Sequence, residues 1–387
     1  MQPPASDQPD PLAGDLTSAH QPPWQAAELF PAVPTDAPCG VLGATGPMPG
    51  QDADDLAARL RRDVGRAIAL GWTPASARLV PVGEVPGLAT PLVERDLPYW
   101  QRELRIGGLL AGGSALGVLA TLAFMPPLAL LPLFLAMQGL AQSLGARQAL
   151  RSLADPAEYA REQALALRFA AWSGQRRWHG TQVLAGLLGV VAAVVSVAGE
   201  RALPQVALDP AAVRDGEWWR LATAGLVHLN LPHLLINALA LLSLGRLVEA
   251  LAGWRGMLLV FAVGTLGGNA FSAALAWAPL SSGASSGLCG LLGWLLIASQ
   301  PKPGGVPAAL RAAVCRNVWL VALLGVLGAG IVDHPAHLGG LAAGAALAAV
   351  NGRRLPARDA LTRGAGMVAA AALVATAGWI AWLLLPH

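Results

Sequence analysis

Apolar positions in this chain form long unbroken runs from about residue 107 onward and only short, patchy groups before it. Residues 1–51 repeat Pro, Ala, Gly and Asp without a spaced apolar face, which predicts a disordered tail. From residue 52 a period emerges. The stretch DADDLAARLRRDVGRAIALGW sets Leu56, Leu60, Val64, Ile68 and Leu70 at near-helical spacing, with Arg61, Arg62 and Arg66 along one side, and predicts an amphipathic helix. ARLVPVGEVPGLATPL follows and predicts short extended pieces broken by proline. Residues 52–105 therefore read as a small cytoplasmic segment, with no recognisable chemistry of its own.

Two apolar runs then face each other across Pro126-Pro127, Gly107–Met125 and Leu128–Leu144, within a hydrophobic hairpin at 106–146. The second arm is short against the ~20 residues that cross the hydrocarbon core, so the pair is either a spanning hairpin or a re-entrant one. A polar, arginine-rich cytoplasmic linker covers 147–180. Further runs lie at Thr181–Gly199, Leu231–Gly253, Met257–Trp277, Ser285–Ser299, Val314–Val332, Pro335–Val350 and Gly366–Leu385. The expected architecture is an all-α membrane protein of about nine spans. It comprises the hairpin, a six-helix core at 181–351, and a linker with one extra C-terminal span at 352–387.

Composition supports this reading and excludes others. Charged residues make up 13% of the chain, where soluble domains carry about 25%. Mean hydropathy is +0.52. A soluble enzyme or a disordered chain does not fit those figures. The net charge of +3 is loop charge that orients spans and not a nucleic-acid patch. Cys39, Cys289 and Cys315 form neither a CxxC nor an even framework, so neither a zinc site nor a disulfide fold is expected.

The basic residues set the orientation. Arg147, Arg151, Arg161, Arg168, Arg176 and Arg177 precede the six-span block, and Arg353, Arg354, Arg358 and Arg363 follow it. Arg246 and Arg255 lie between its second and third spans, and Lys302, Arg311 and Arg316 between its fourth and fifth. With alternating spans all four groups fall on one side, the cytoplasm. The N-terminus then lies inside. The arginine-rich, lysine-poor composition suggests a bacterial inner membrane.

Polar groups within apolar spans are costly unless paired or functional. Here they cluster by depth. His233 and Asn237 open the second span of the block, Ser285 and Ser286 the fourth, and His337 lies near the start of the sixth. These three spans run outside to inside, so their starts share one depth. The residue types suit acyl transfer. A serine hydroxyl becomes nucleophilic when an imidazole takes its proton. A second histidine and an asparagine can donate to an oxyanion, and His233 and Asn237, at i,i+4, face the same way. Asp333 lies in the turn before His337, so a Ser–His dyad is expected rather than a triad. Taken singly each residue has a plainer use: a helix cap, an interfacial histidine, a packing asparagine.

At these residues the chain resembles the rhomboid family of intramembrane serine proteases, over roughly Thr181–Val350. GEWWRL (Gly216–Leu221) resembles the family's Trp-Arg motif of the first outer loop, at Trp219 and Arg220. VHLNLPHLLIN (Val227–Asn237) resembles its entry to the second span, and LGRLVE (Leu244–Glu249) that span's Gly…Glu ending at Glu249. SGASSGLCGLLG (Ser282–Gly293) resembles the GxSG region, with Gly283, Gly287 and Gly290. DHPAHLGGLAAG (Asp333–Gly344) resembles the sixth-span motif. The resemblance implies a serine endopeptidase that cleaves transmembrane protein substrates in the lipid bilayer without metal or organic cofactor. His337 would be its base and His233 and Asn237 its oxyanion donors. A catalytically inactive relative that binds or escorts membrane clients is the alternative. A transporter fits worse, since the polar cluster lies near one face and no inverted repeat is evident.

The chain departs from the pattern at the nucleophile. Ser285 is followed by Ser286 in place of glycine, and Ser286 is preceded by Ala284-Ser285. Spacing to the downstream glycines favours Ser285, and Ser286 remains the alternative nucleophile. In the Ser285 register, Ser286 and Gly290 form a small-xxx-small pair. Cys289 occupies a place where the family often has an aromatic ring. Gly340 and Gly344 should let the sixth span approach the fourth at Gly290 and Gly293, and Gly264 with Gly268 reads as packing. Trp218, Trp219 and Arg220 are either interfacial anchors or a brace for their loop.

Overall fold

A computed structural model describes residues 22–35, 37–124, 130–277, 279–301, 305–327, 332–350 and 360–385. Residues 1–21, the Pro126-Pro127 turn, Lys302, and Arg353, Arg354 and Arg358 of the orientation argument lie outside them. The chain forms two units, residues 1–174 with 301–316, and residues 175–300 with 317–387.

The first unit contains β1 (Cys39–Gly43), β2 (Gly46–Gly50), α1 (Ala53–Arg62), β3 (Leu70–Trp72) and β4 (Val80–Pro81). It continues with α2 (Ala89–Phe124), α3 (Leu130–Ser152) and α4 (Pro156–Gly174). The strands form an antiparallel sheet in the order β2-β1-β3-β4. Half of the expected tail is therefore ordered, which corrects the reading of 1–51. Its Gly and Pro content is strand chemistry here. Pro47 and Pro49 sit on edge strand β2, where a missing N–H is tolerated. Gly46 turns the hairpin at φ +121, and bare Gly40 makes room for the Trp72 ring.

The amphipathic helix is shorter than its sequence period. Asp52 caps it by accepting from the Asp55 N–H at 2.9 Å. It stops at Arg62 because the Asp63 carboxylate takes the N–H groups of Ala67 (3.0 Å) and Ile68 (2.7 Å), folding the chain back. Val64 is consequently exposed, while Ile68 reaches the core from a loop and Leu70 opens β3.

Residues 147–174 are not a linker, as the sequence suggested. Leu153, Tyr159 and Ala160 share one apolar core with Val41, Leu56, Leu60 and Leu88. At its edge Asp96 is fully buried. Its carboxylate accepts from the Tyr159 hydroxyl (2.8 Å) and Arg95 Nε (2.8 Å) and pairs with Arg66 (3.0 Å). A buried charge survives only with such partners. Burial pushes the Tyr159 hydroxyl well above its usual range.

Helix α2 runs unbroken through the expected boundary at 105/106, since RELRI holds good helix formers and the close packing of Gly107 on α3 offsets the weak propensity of the two glycines. It packs on α3 through Gly107, where a Cβ would stand 2.8 Å from Ser143 Oγ.

The second unit contains α5 (His179–Ala198), the short loop helices α6 (Ala202–Val206), α7 (Pro210–Arg214) and α8 (Arg220–Thr223), and α9 (Leu231–Leu275). It ends with α10 (Ser285–Ala298), the C-terminal part of α11 (Ala308–Leu327), α12 (His334–Val350) and α13 (Ala360–Leu384). Helix α9 bends at Gly253, whose φ of 72° favours glycine. Its arms, 231–252 and 254–275, correspond to two of the expected spans. Among the described residues, Ala89–Thr121, His179–Ala198, Leu231–Leu275 and Arg363–Leu384 are long and apolar enough to cross a membrane. Helix α10 has only 14 residues, ~21 Å at 1.5 Å each, shorter than a ~30 Å hydrocarbon layer.

Two features fasten this unit. The first is Glu249, buried at the end of the first arm of α9. Its carboxylate accepts from the N–H groups of Gly180 (3.0 Å) and Thr181 (2.7 Å) and from the Thr181 hydroxyl (2.7 Å). Those are orphan donors at the N-terminus of α5, where a carboxylate is also favoured by the helix dipole.

The second is a three-way backbone contact among α9, α10 and α12. A Cβ on Gly264 would stand 2.7 Å from Gly290 Cα. One on Gly340 would strike the Ser286 carbonyl, and one on Gly344 would lie 2.8 Å from Gly290 Cα. Gly293 meets the Leu341 carbonyl in the same way. Leucine in place of glycine gains ~1 kcal/mol of helix propensity, which such a clash outweighs. Gly340→Leu is expected to destabilise the protein by about 3 kcal/mol or more, read as a lowered melting temperature in detergent. Gly186→Leu, with nothing within 4 Å, should melt no lower than the parent.

Candidate active site

The site is assembled from a loop and three helix starts. The loop runs from α6 to His228, and about half of its residues are buried. Arg220, buried, donates through Nη1 to the carbonyls of Pro204 and Ala207, each at 2.8 Å, and pairs with Glu217. The Thr223 hydroxyl donates to the Val206 carbonyl at 2.6 Å. Asn269 of α9 donates to the Leu221 carbonyl at 2.8 Å. Carbonyls that could not reach water in a bilayer are thereby satisfied. Arg220 is thus a brace. Trp218 is exposed, and Trp219 packs edge-on against Trp379 of α13, with 6.2 Å between centroids.

The strand-like stretch before α10 is tied to this loop. Leu208 and Ser281 exchange both backbone hydrogen bonds, at 2.8 and 2.9 Å, and the Gly283 N–H donates to the Ala224 carbonyl at 2.9 Å. Gly283 has φ +133. Its missing Cβ would stand 2.7 Å from Cε1 and 2.9 Å from Nε2 of His233, and 3.8 Å from the Asn237 side-chain nitrogen. Conformation and crowding both call for glycine here. His233 and Asn237 therefore lie directly against the residue two before Ser285. Asn230 caps α9 by accepting from the His233 N–H at 2.9 Å, and the Asn237 amide donates to the His233 carbonyl at 2.9 Å.

Ser285 and Ser286 open α10 and differ by ~100° in direction. Ser286 points into the helix contact. It is 1% exposed, and its Cβ lies 2.7 Å from where a Cβ on Gly268 would be. Its hydroxyl has no hydrogen-bond partner. Ser285 is half-buried and turned away from that contact. With Ala284 as cap, the first intrahelical donor of α10 is Leu288, which donates to the Ala284 carbonyl at 3.0 Å. The N–H groups of residues 285–287 are orphan donors of the helix start.

His337 projects from the first turns of α12, half-buried, close enough to His233, Asp333 and His334 for electrostatic interaction. Its Nδ1 is buried without a hydrogen-bond partner. No hydrogen bond joins its ring to Ser285 among the described residues. Such bonds are often long in a free enzyme and tighten when substrate binds. The Asp333 carboxylate is engaged elsewhere, accepting from the Ala336 N–H (3.0 Å) and the Ser272 hydroxyl (2.6 Å). Cys289 is buried one turn beyond Ser285, and Gly287 lies against Phe261 and Thr265.

Some contributors were missed in the sequence. His228 is buried, its ring 5.2 Å from that of His233, and its Nε2 accepts from the Ala284 N–H at 3.4 Å. The signal was present, since His228 lies in the same motif as His233. Thr265, Asn269 and Ser272 form a polar i, i+4, i+7 stripe in an apolar run, which should have marked an inward face.

The fold and site define a helical membrane protein of rhomboid-like architecture. Residues 215–354 match the Rhomboid domain, so this part of the chain is similar to the rhomboid family. It is 33% identical over 169 residues to Rhomboid protease GluP of Bacillus subtilis, covering 43% of this chain and 31% of that protein. It is 35% identical over 136 residues to RHOMBOID-like protein 4 of Arabidopsis thaliana, 34% of each chain. With Rhomboid-like protease 2 of Toxoplasma gondii it shares 30% over 143 residues, 35% of this chain and 48% of that protein. The match thus spans about a third of the length of the first two relatives.

Removing the brace should open the loop. Arg220→Ala strips two carbonyls of a charged donor, costing about 1.5–3 kcal/mol per bond. Faster cleavage by an added protease between residues 200 and 226, at an unchanged rate elsewhere, is the expected readout.

Proposed function

We propose that this chain is an intramembrane serine endopeptidase that cleaves transmembrane-anchored proteins through a Ser285–His337 dyad. One observation carries the choice of residues. Ser285 is half-buried and lies two residues after Gly283, which His233 and Asn237 approach, while Ser286 is buried between α9 and α12. His337 takes the Ser285 proton, and the oxygen attacks the scissile carbonyl. His233, Asn237 and the Ser285 N–H hold the oxyanion. The proton on His337 passes to the leaving amine. Water, deprotonated by His337, then releases the acyl group. A helical substrate carbonyl is shielded by its own hydrogen bond, so the substrate must unwind at the cut. The bias of basic residues to one set of loops supports an N-terminus in the cytoplasm, a site near the opposite face, and a bacterial inner membrane as its location.

The lack of a Ser285–His337 hydrogen bond favours one other reading, a non-catalytic member that binds membrane clients. Labelling by a fluorophosphonate probe separates the two. Wild type and Ser286→Ala should label and cleave a membrane-anchored reporter. Ser285→Ala should not label. His337→Ala should label at least a hundredfold more slowly, in the range of ~10²–10⁴ for a general base. Labelling that persists in Ser285→Ala and vanishes in Ser286→Ala would reassign the nucleophile. No labelling of wild type would leave the client-binding reading.

A further inference from the structure

A serine–histidine dyad has no acid to aim its imidazole, so something else must. The His337 ring offers no orienting bond of its own, since its Nδ1 is unpartnered. What is fixed is the backbone beneath it. The His337 N–H donates to the Asp333 carbonyl at 3.2 Å, and the Asp333 Oδ1 accepts from the Ala336 N–H at 3.0 Å. The free end of that cap, Oδ2, accepts from the Ser272 hydroxyl at 2.6 Å. Ser272 is 1% exposed and lies on the second arm of α9, one turn beyond Gly268. A Cβ on Gly268 would stand 3.1 Å from Gly340 N and would strike the Ala336 carbonyl. The turn from Asp333 to His337 is therefore pressed on α9 at Gly268 and tied to it at Ser272.

We infer that Ser272 is a positioning residue for His337, acting through Asp333. It touches no reacting atom. It fixes the cap of α12 and thereby the direction in which the imidazole leaves the helix. The inference rests on the dyad reading above and adds what aims its base. The Asp333 carboxylate serves as a cap and tether here, since both its oxygens are engaged away from the ring. Asparagine caps helices as well as aspartate does, with its oxygen on the Ala336 N–H, and its amide N–H can donate to the Ser272 hydroxyl oxygen, which keeps the tether with the direction of that bond reversed.

The test uses the full chain in detergent and the kinetics of fluorophosphonate labelling, which separate the probe's apparent affinity, the limiting rate and the fraction labelled. Ser272→Ala and Asp333→Ala should each lower the limiting rate about ten- to a hundredfold, the scale of a misplacement near 1 Å. Affinity should stay unchanged. Ser272→Ala/Asp333→Ala should be no slower than either single variant, because both cut one tether. Asp333→Asn should keep a rate near wild type. A merely structural role would reduce the fraction labelled and the melting temperature while leaving the rate of the labelled fraction untouched. That result overturns the inference. So does a wild-type rate in Ser272→Ala, or an Asp333→Asn as slow as Asp333→Ala, which would make the charge itself a third member of the catalytic set. Ser272→Cys, nearly isosteric and a poor donor, carries the same test where alanine does not accumulate. Failure of wild type to label refutes the dyad, whereas a labelled wild type with an unaffected Ser272→Ala refutes the positioning role alone.

Discussion

Helices of ordinary sequence pack with axes 8–10 Å apart, whereas a hydroxyl and an imidazole must come within about 3 Å to exchange a proton. Bare backbone brings these helices closer than ordinary packing does. Gly264, Gly268, Gly290, Gly293, Gly340 and Gly344 leave α9, α10 and α12 touching main chain to main chain. With no hydrophobic drive between helices in lipid, such van der Waals contact is what holds them. The same contact decides the direction of every side chain at the helix starts. Because Ser286 lies in the seam, Ser285 a hundred degrees around the helix does not.

The loop between α5 and α9 solves a second problem, that of irregular backbone with buried carbonyls. Each exposed carbonyl there costs several kcal/mol if left in hydrocarbon. Arg220, Thr223 and Asn269 supply donors to residues 204, 206, 207 and 221. Gly283 then hydrogen-bonds to Ala224, so the loop and the start of α10 move as one piece. The positive φ of Gly283, which a side chain would strain, lets the His233 ring and the Asn237 amide approach its backbone two residues before Ser285. Loop order and site geometry are one property, and this is why a buried arginine far from any reacting atom belongs to the site's construction.

Much of this was legible in the sequence because spans, loop charge and depth are fixed by hydropathy alone. The six runs of the core reappear as helices, with Leu231–Gly253 and Met257–Trp277 joined at Gly253. The depth argument placed His233, Ser285 and His337 near the starts of their helices, where they are found. What was not legible is tertiary. Residues 39–50 looked disordered because glycine and proline carry no apolar period, yet each fits an edge strand or a close ring contact. The period through Val64 looked helical because nothing local shows that Asp63 will capture two downstream amides. Residues 147–174 looked like a linker because arginines mask the face that buries Tyr159. The stripe of Thr265, Asn269 and Ser272 was visible, but its meaning depended on which helix it would face.

Ser286 shows how far packing, rather than chemistry, has shaped the departure from the family pattern. A glycine there would serve the seam as well and would carry no hydroxyl to bury. The Ser286 hydroxyl is sealed without a partner, at a cost of about 1–3 kcal/mol. A nucleophile must be reached by water, by substrate and by its base, and Ser286, 1% exposed against Gly268, is poorly placed for that. The added Cβ offsets part of the cost by filling the space beside Gly268 and by raising helix propensity over glycine by a few tenths of a kcal/mol. It also stiffens the first turn of α10, because serine samples less backbone space than glycine. Stiffness there acts on the residue before it. The carbonyl of Ser286 lies against Gly340, three residues from His337 on α12, so the turn that carries Ser285 and the turn that carries the imidazole are held at a fixed separation by the same residue.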